Sequence, residues 1–160
     1  MKARVTHPFE AIIGDRSRIL ILGTMASVKS REYGFYYMHP QNRFWPVIGN
    51  IFKTHIPETN EKKAKLLLEN NVALWDVLAS CEITGSGDAS IKNAVCNDIA
   101  ALIRGKPIEK ILCNGGKAYT LFTQNFNLSL PVVKMPSTSP ANASWNMERL
   151  TAAWKMELLG

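Results

Sequence analysis

The residues that could do chemistry here gather in a few short stretches. Residues 34–45, GFYYMHPQNRFW, crowd together Phe35, Tyr36, Tyr37, His39, Asn42, Arg43, Phe44 and Trp45. Elsewhere stand Gly23 with the small-residue run GTMAS, Asp76 in LWDV, Asp88 in GSGDAS, Asn114 in CNGGK, and the hydroxyl-rich PSTSPANA at residues 136–143. Aromatic rings offer faces on which bases stack. Side-chain amides offer a donor and an acceptor to base edges, and basic groups hold phosphates. The blander reading makes the aromatics core and the polar residues turn-formers. Asn42 would then cap a helix beginning near Arg43, Asn114 would shape the turn before Gly115, and Asp88 would serve a turn or a helix cap. Phe44 and Trp45 are read as core on either view.

Other chemistries are poorly served. NGGK lacks the GxxxxGK[ST] spacing of a phosphate loop, and GxGxxG, HExxH and GxSxG do not occur. Cys81, Cys96 and Cys113 are odd in number and form no CxxC pair, which argues against a disulfide framework or a metal cluster. Reduced thiols in a cytoplasm are expected, with Cys113 in a strand and Cys96 in a helix as packing residues. No metal and no cofactor is expected.

These stretches need a scaffold. The chain has 160 residues, of which 46% are hydrophobic, enough for one domain spanning 1–160 with a full core. No apolar run is long enough for a membrane span, and the first residues do not read as a signal peptide. The net charge of +6 favours a polyanionic partner. Strands are predicted at residues 18–22, 72–77, 110–113 and 132–135, each short, apolar and closed by Gly, Pro, Asn or Ser.

Helices are predicted at residues 43–52, 61–70, 90–104, 117–126 and 145–159. In 61–70, Lys62, Lys63 and Lys65 face out and Leu66 and Leu67 face in. In 90–104, Ser90 is the N-cap and Ile91, Val95, Ile99, Leu102 and Ile103 form the stripe. Residues 81–90 read as a loop that could overhang a site. Alternating strands and helices predict a three-layer α/β/α fold with a short, mostly parallel four-stranded sheet. The stretches at Gly23, Asp76, Asn114 and Pro136 each follow a predicted strand, so their loops should line one crevice at the sheet's carboxyl edge.

GFYYMHPQNRFWPVIG, residues 34–49, resembles the first-motif region of the uracil-DNA glycosylase superfamily, in the mismatch-specific group that carries HPxNRFW. PSTSPANA sits where that superfamily has its second motif. Together with LGTM, GSGDASI and NGGKA, the pattern most resembles the hypoxanthine (deoxyinosine) DNA glycosylase branch, over about residues 8–154. The resemblance implies a uracil-DNA glycosylase-like fold. It also implies a monofunctional enzyme, acting as a monomer on DNA that holds deaminated bases. Such an enzyme hydrolyses the base–sugar bond and leaves an abasic site for base excision repair.

The resemblance also implies roles. The superfamily places a recognition Asn at the position of Asn114. Hypoxanthine and uracil both show a carbonyl beside a ring N–H, a pattern that a carboxamide matches, whereas adenine shows an NH2 beside a bare nitrogen. Tyr37 takes the place of the aromatic that stacks on the flipped base, with Phe35 as runner-up and His39 in the same base-binding stretch. Gly23 and the backbone of residues 24–27 would approach the base or water closely. Ser137, Thr138 and Ser139 would bind the DNA backbone or the leaving base through their hydroxyls, and Asn142 and Arg43 would contact DNA.

The sequence departs from better-known branches in two places. Met25 stands in the loop where they put a polar group for the attacking water, and PSTSPA lacks their His. Both departures point away from strong uracil excision, and the resemblance points to Asn42 as the catalytic amide, with Asp88 and Asp76 as carboxylate alternatives. A nucleoside hydrolase and a non-catalytic nucleic-acid binder are the competing classes. Dependence of turnover on duplex DNA separates the first, and an abasic-site cleavage assay separates the second.

Overall fold

The run Ile19–Gly23 is apolar up to its closing glycine, as a strand covered on both faces requires. It is the second strand, β2, of the computed structural model, which describes residues 2–7, 9–84 and 91–160. Before it lies β1 (Lys2–Thr6). After it come α1 (Val28–Tyr33), α2 (Phe44–Phe52), α3 (Asn60–Glu69), β3 (Val72–Asp76), β4 (Leu78–Thr84) and β5 (Lys92–Cys96). The chain closes with α4 (Ile99–Ile103), β6 (Lys110–Asn114), α5 (Gly116–Asn125), β7 (Val132–Met135) and α6 (Met147–Leu159).

Four strands pair in parallel in the order β3-β2-β6-β7. Alternation along each strand splits their side chains between two cores. Ile21, Leu74 and Leu112 meet Phe44, Ile48, Leu67 and Trp154 of α2, α3 and α6 on one face. Leu20, Leu22, Ile111 and Cys113 meet Ile99, Ala118 and Phe122 of α4 and α5 on the other. These two covered faces make the expected three layers. In α2, Phe44, Val47, Ile48 and Ile51 are buried, and Pro46 sits in the first turn, where its missing N–H costs no helical bond. Leu150, Trp154 and Leu158 of α6 are buried at the predicted spacing. The Trp154 indole donates to the Pro136 carbonyl at 3.0 Å, fastening the PSTSPANA segment to α6.

Several expectations need correction. Residues 90–104 do not form one helix. Lys92–Cys96 is a strand paired antiparallel with β4, and Asp98 starts the short α4 by accepting from the Ala101 N–H at 3.1 Å. Of the predicted stripe only Ile99 is fully buried, and Val95 is 50% exposed. Ser90 lies outside the described residues. Asn97 explains the break: its side chain donates to the Asp76 and Leu78 carbonyls, which ties this segment to the end of β3. Cys96 is therefore in a strand. Residues 81–84 belong to β4 rather than to a loop, and the small antiparallel sheet β1-β4-β5 is an addition that the sequence reading lacked. Lys63 faces inward, 7% exposed, with its ammonium 5.9 Å from the Trp45 ring centroid. A long apolar stem and a cation–π contact make that burial tolerable.

Candidate active site

The register of the parallel sheet sets the site. Gly23 pairs with Asp76, and Asn114 pairs with Met135, so the carboxyl ends of β2, β3, β6 and β7 finish side by side. A cavity of about 310 Å³ opens there. It is walled by the loop from Gly23 to Ser27, by Tyr36, Tyr37 and Asn42, by Asp76 and Asn114, and by Ser137, Thr138 and Ser139. The convergence expected of the four loops is what the sheet delivers, and the volume falls at the small end of ligand sites, roughly 300–1,000 Å³.

The loop after β2 is held by its own hydroxyls. Ser27 caps α1 by accepting from the Ser30 N–H at 3.1 Å, and Ser30, 1% exposed, accepts from the Met38 N–H at 2.9 Å. The following stretch is pinned by Tyr36, whose hydroxyl donates to the Glu10 carbonyl at 2.7 Å, and by the Trp45 indole, which donates to the Tyr36 carbonyl at 2.9 Å. Burial, then the negative charge of Asp76, then Tyr37 push the Tyr36 phenol well above its ordinary range, so it stays a neutral donor. Tyr37 itself has φ 55°, a left-handed backbone that costs a non-glycine residue roughly 1–2 kcal/mol. That conformation turns the ring onto Phe44, with centroids 4.2 Å apart, and puts the hydroxyl over Gly23. A Cβ on Gly23 would lie 2.7 Å from the Tyr37 hydroxyl and closer still to Asp76 Oδ1, so any side chain here would have to push both groups aside.

Thr138 joins the two amides. It is 1% exposed. The Asn42 Oδ1 accepts from the Phe44 N–H and from the Thr138 hydroxyl, each at 2.9 Å. The Asn114 Oδ1 accepts from the Thr138 N–H at 3.0 Å, and its Nδ2 donates to the Thr138 hydroxyl at 3.0 Å. The orientation of every group follows. A backbone N–H can only donate, so it is the oxygen of each amide that faces it. The Thr138 hydroxyl accepts from Asn114, so its single hydrogen goes to Asn42. The Asn42 oxygen is thereby filled by two donors, and its Nδ2 is the end left for a ligand. Asn114 keeps one N–H and one lone pair to spare. The Arg43 N–H donates to the Thr138 carbonyl at 3.0 Å, which locks the two motif segments together.

The other candidates divide. The Arg43 guanidinium is engaged within the protein. It donates to the carbonyls of Ser139 at 2.9 Å, Asn142 at 3.0 Å and Trp145, so it clamps the PSTSPANA loop. Phe35 stacks on Trp45 with the core cluster and does not line the cavity. His39 is also off the cavity wall, its Nδ1 accepting from the Gln41 N–H at 3.1 Å. Ser137, Ser139 and Asn142 line an open groove beside the cavity, together with Lys134, Gly116 and Trp145. Asp88 lies outside the described residues.

One residue was not foreseen. His7 reaches across from the end of β1, and its Nε2 is 2.6 Å from Asp76 Oδ2. Nothing in the sequence marks a single His as the partner of an Asp 69 positions away. Its only signal is that both stand at strand ends.

The sequence model of the uracil DNA glycosylase superfamily matches residues 11–157. A hypoxanthine DNA glycosylase from Methanosarcina acetivorans is 32% identical over 147 residues, 91% of this chain and 93% of that protein. Another of that name, from Methanosarcina barkeri, is 31% identical over 112 residues, 69% of this chain and 71% of its own length. Among solved structures, a solution NMR structure from Methanosarcina acetivorans, provisionally named a uracil DNA glycosylase, superposes with a TM-score of 0.83. It is 29% identical and covers 99% of this chain and 97% of its own.

Proposed function

The chain belongs to the uracil DNA glycosylase superfamily, and from that premise we propose that it is a monofunctional DNA glycosylase acting foremost on hypoxanthine. The target nucleotide swings out of the stack, at roughly a few kcal/mol, least for a damaged or mismatched base, and its base enters the cavity at the sheet's carboxyl edge. The observation that carries this reading is the Asn42–Thr138–Asn114 chain of hydrogen bonds on the cavity wall.

That chain divides the labour. Asn114 offers one N–H and one lone pair in a fixed orientation, a complement to a carbonyl beside a ring N–H, and adenine presents the reverse pattern. Asn42 has its oxygen occupied and its NH2 presented. A donor of that kind meets the purine as negative charge builds on it, and the hydrogen bond strengthens toward the transition state. The structure thus favours the leaving-group role for Asn42 over a role as acceptor from the attacking water. Tyr37, one face of which stacks on Phe44, stands on the cavity wall as the ring for the flipped base to stack on. Ser137, Ser139, Asn142 and Lys134 line the groove along which the strand's phosphates run, and the net charge of +6 assists its approach.

The test is a panel of duplexes and single strands, each with one deoxyinosine, deoxyuridine, deoxyxanthosine or ethenoadenosine, scored for alkali-labile breaks. Deoxyinosine should react faster than deoxyuridine. Hydrolysis of free inosine with deoxyinosine in DNA left intact would replace the proposal with a nucleoside hydrolase.

A further inference from the structure

A buried carboxylate stands at the cavity wall with a partner of its own. The side chains of His7 and Asp76 are 4% and 5% exposed, and the Nε2–Oδ2 distance is 2.6 Å. Asp76 lines the cavity and His7 does not. The His7 ring is enclosed by Phe9 and Tyr36, with ring centroids 5.4 and 5.9 Å away. Its far nitrogen, Nδ1, lies 3.0 Å from the Phe9 carbonyl and 3.4 Å from the Phe9 nitrogen. Beside a carboxylate, which only accepts, Nε2 carries its hydrogen and donates to Asp76 Oδ2. One carboxylate oxygen is therefore engaged. The other, Oδ1, crowds over Gly23, where the absence of a side chain leaves it room at the floor of the cavity.

Building on the glycosylase reading, we propose that Asp76 is a catalytic residue of this site, an anion that faces the sugar, and that His7 is the positioning residue that keeps it aimed. As the N9–C1′ bond of deoxyinosine breaks, its electron pair leaves with the purine and positive charge develops on the deoxyribose. Asp76 stabilises that charge. A water oxygen then bonds to C1′, and Asp76 takes the surplus proton of that water. The proton passes on to the purine anion, which departs as neutral hypoxanthine, and the carboxylate is restored. The division of labour is physical: Asn42 donates to the side that becomes negative and Asp76 faces the side that becomes positive. Such a carboxylate compensates for Met25, which has no polar group to offer in the loop after β2.

Two measurements on the full chain test this. The first is single-turnover excision from a deoxyinosine duplex by the wild type, Asp76→Asn, His7→Gln and His7→Leu. The Asn variant keeps the shape and still accepts from His7, and Gln retains an N–H near the Nε2 position. Asp76→Asn should lose on the order of 10²-fold in rate. His7→Leu should lose rate with little change in DNA affinity, and His7→Gln should recover most of it. The second is affinity for duplexes holding either a cationic pyrrolidine or a neutral tetrahydrofuran in place of the target sugar. The wild type should prefer the cation, and Asp76→Asn should lose that preference. A folded Asp76→Asn protein with wild-type rate and wild-type preference overturns the proposal. A wild type that excises no base, yet shows an Asp76-dependent preference for the cation, would sink the glycosylase reading and leave the charge assignment standing.

Discussion

Thr138→Val is the perturbation that the geometry prices best. Valine has nearly the shape of threonine and keeps the backbone N–H and carbonyl that bond Asn114 and Arg43. It removes only the hydroxyl, and with it one bond to Asn42 at 2.9 Å and one from Asn114 at 3.0 Å. A typical hydrogen bond contributes about 0.5–1.5 kcal/mol, so losing the pair should lower the unfolding free energy by about 1–3 kcal/mol. The functional loss should be larger than the stability loss implies. Each amide is left with a single bond about which it can turn, and a misplacement of about 1 Å in such a group can cost on the order of 10²-fold in rate. Urea unfolding and single-turnover excision of hypoxanthine should therefore show a protein that folds, is modestly destabilised, and reacts about 10²-fold slower. Thr138→Ser, which restores the hydroxyl, should stay within a few-fold of wild type. A folded Val variant with an unchanged rate would refute the claim that Thr138 aims the two amides.

Arg43→Met should destabilise strongly, because three carbonyls lose a charged donor and each such bond contributes about 1.5–3 kcal/mol. The slope of log DNA affinity against log salt should not change. A fall of about one in that slope would make Arg43 a phosphate contact instead. Gly23→Ala should cost about 1–3 kcal/mol by overpacking and should also depress excision, since the new methyl displaces Asp76 and Tyr37 together. An Ala variant equal to wild type in unfolding and in rate would show that both side chains have room to spare.

The parallel sheet was legible because β2, β3 and the middle of β6 are buried on both faces. Such strands read as unbroken apolar runs, and the residues that close them, Gly23, Asp76, Asn114 and Pro136, had to finish along one edge. Residues 90–104 misled because apolar spacing was weighed without the caps inside it. Asn97 and Asp98 form side-chain bonds that end one element and start another. Lys63 misled, and the internal bonds of Arg43 went unseen, for a shared reason. A basic residue reads as solvent-facing or phosphate-facing until its neighbours are known, and these neighbours are a tryptophan ring and three carbonyls. His7 was out of reach because its partner is supplied by the sheet's topology rather than by local sequence.

Asn42 presents its NH2 to the purine, and the most direct test of that role compares Asn42→Ala and Asn42→Asp in single-turnover excision and in DNA binding. Removing one oriented donor of this kind costs about 10²–10³ in rate, so the Ala variant should fall by that order with DNA affinity nearly intact. The Asp variant can still accept from the Phe44 N–H and the Thr138 hydroxyl, but it offers no donor to the purine. It should therefore be as slow as the Ala variant. An Asp variant that keeps most of its activity would assign Asn42 to the attacking water, and a folded Ala variant with near-normal excision would remove Asn42 from the chemistry.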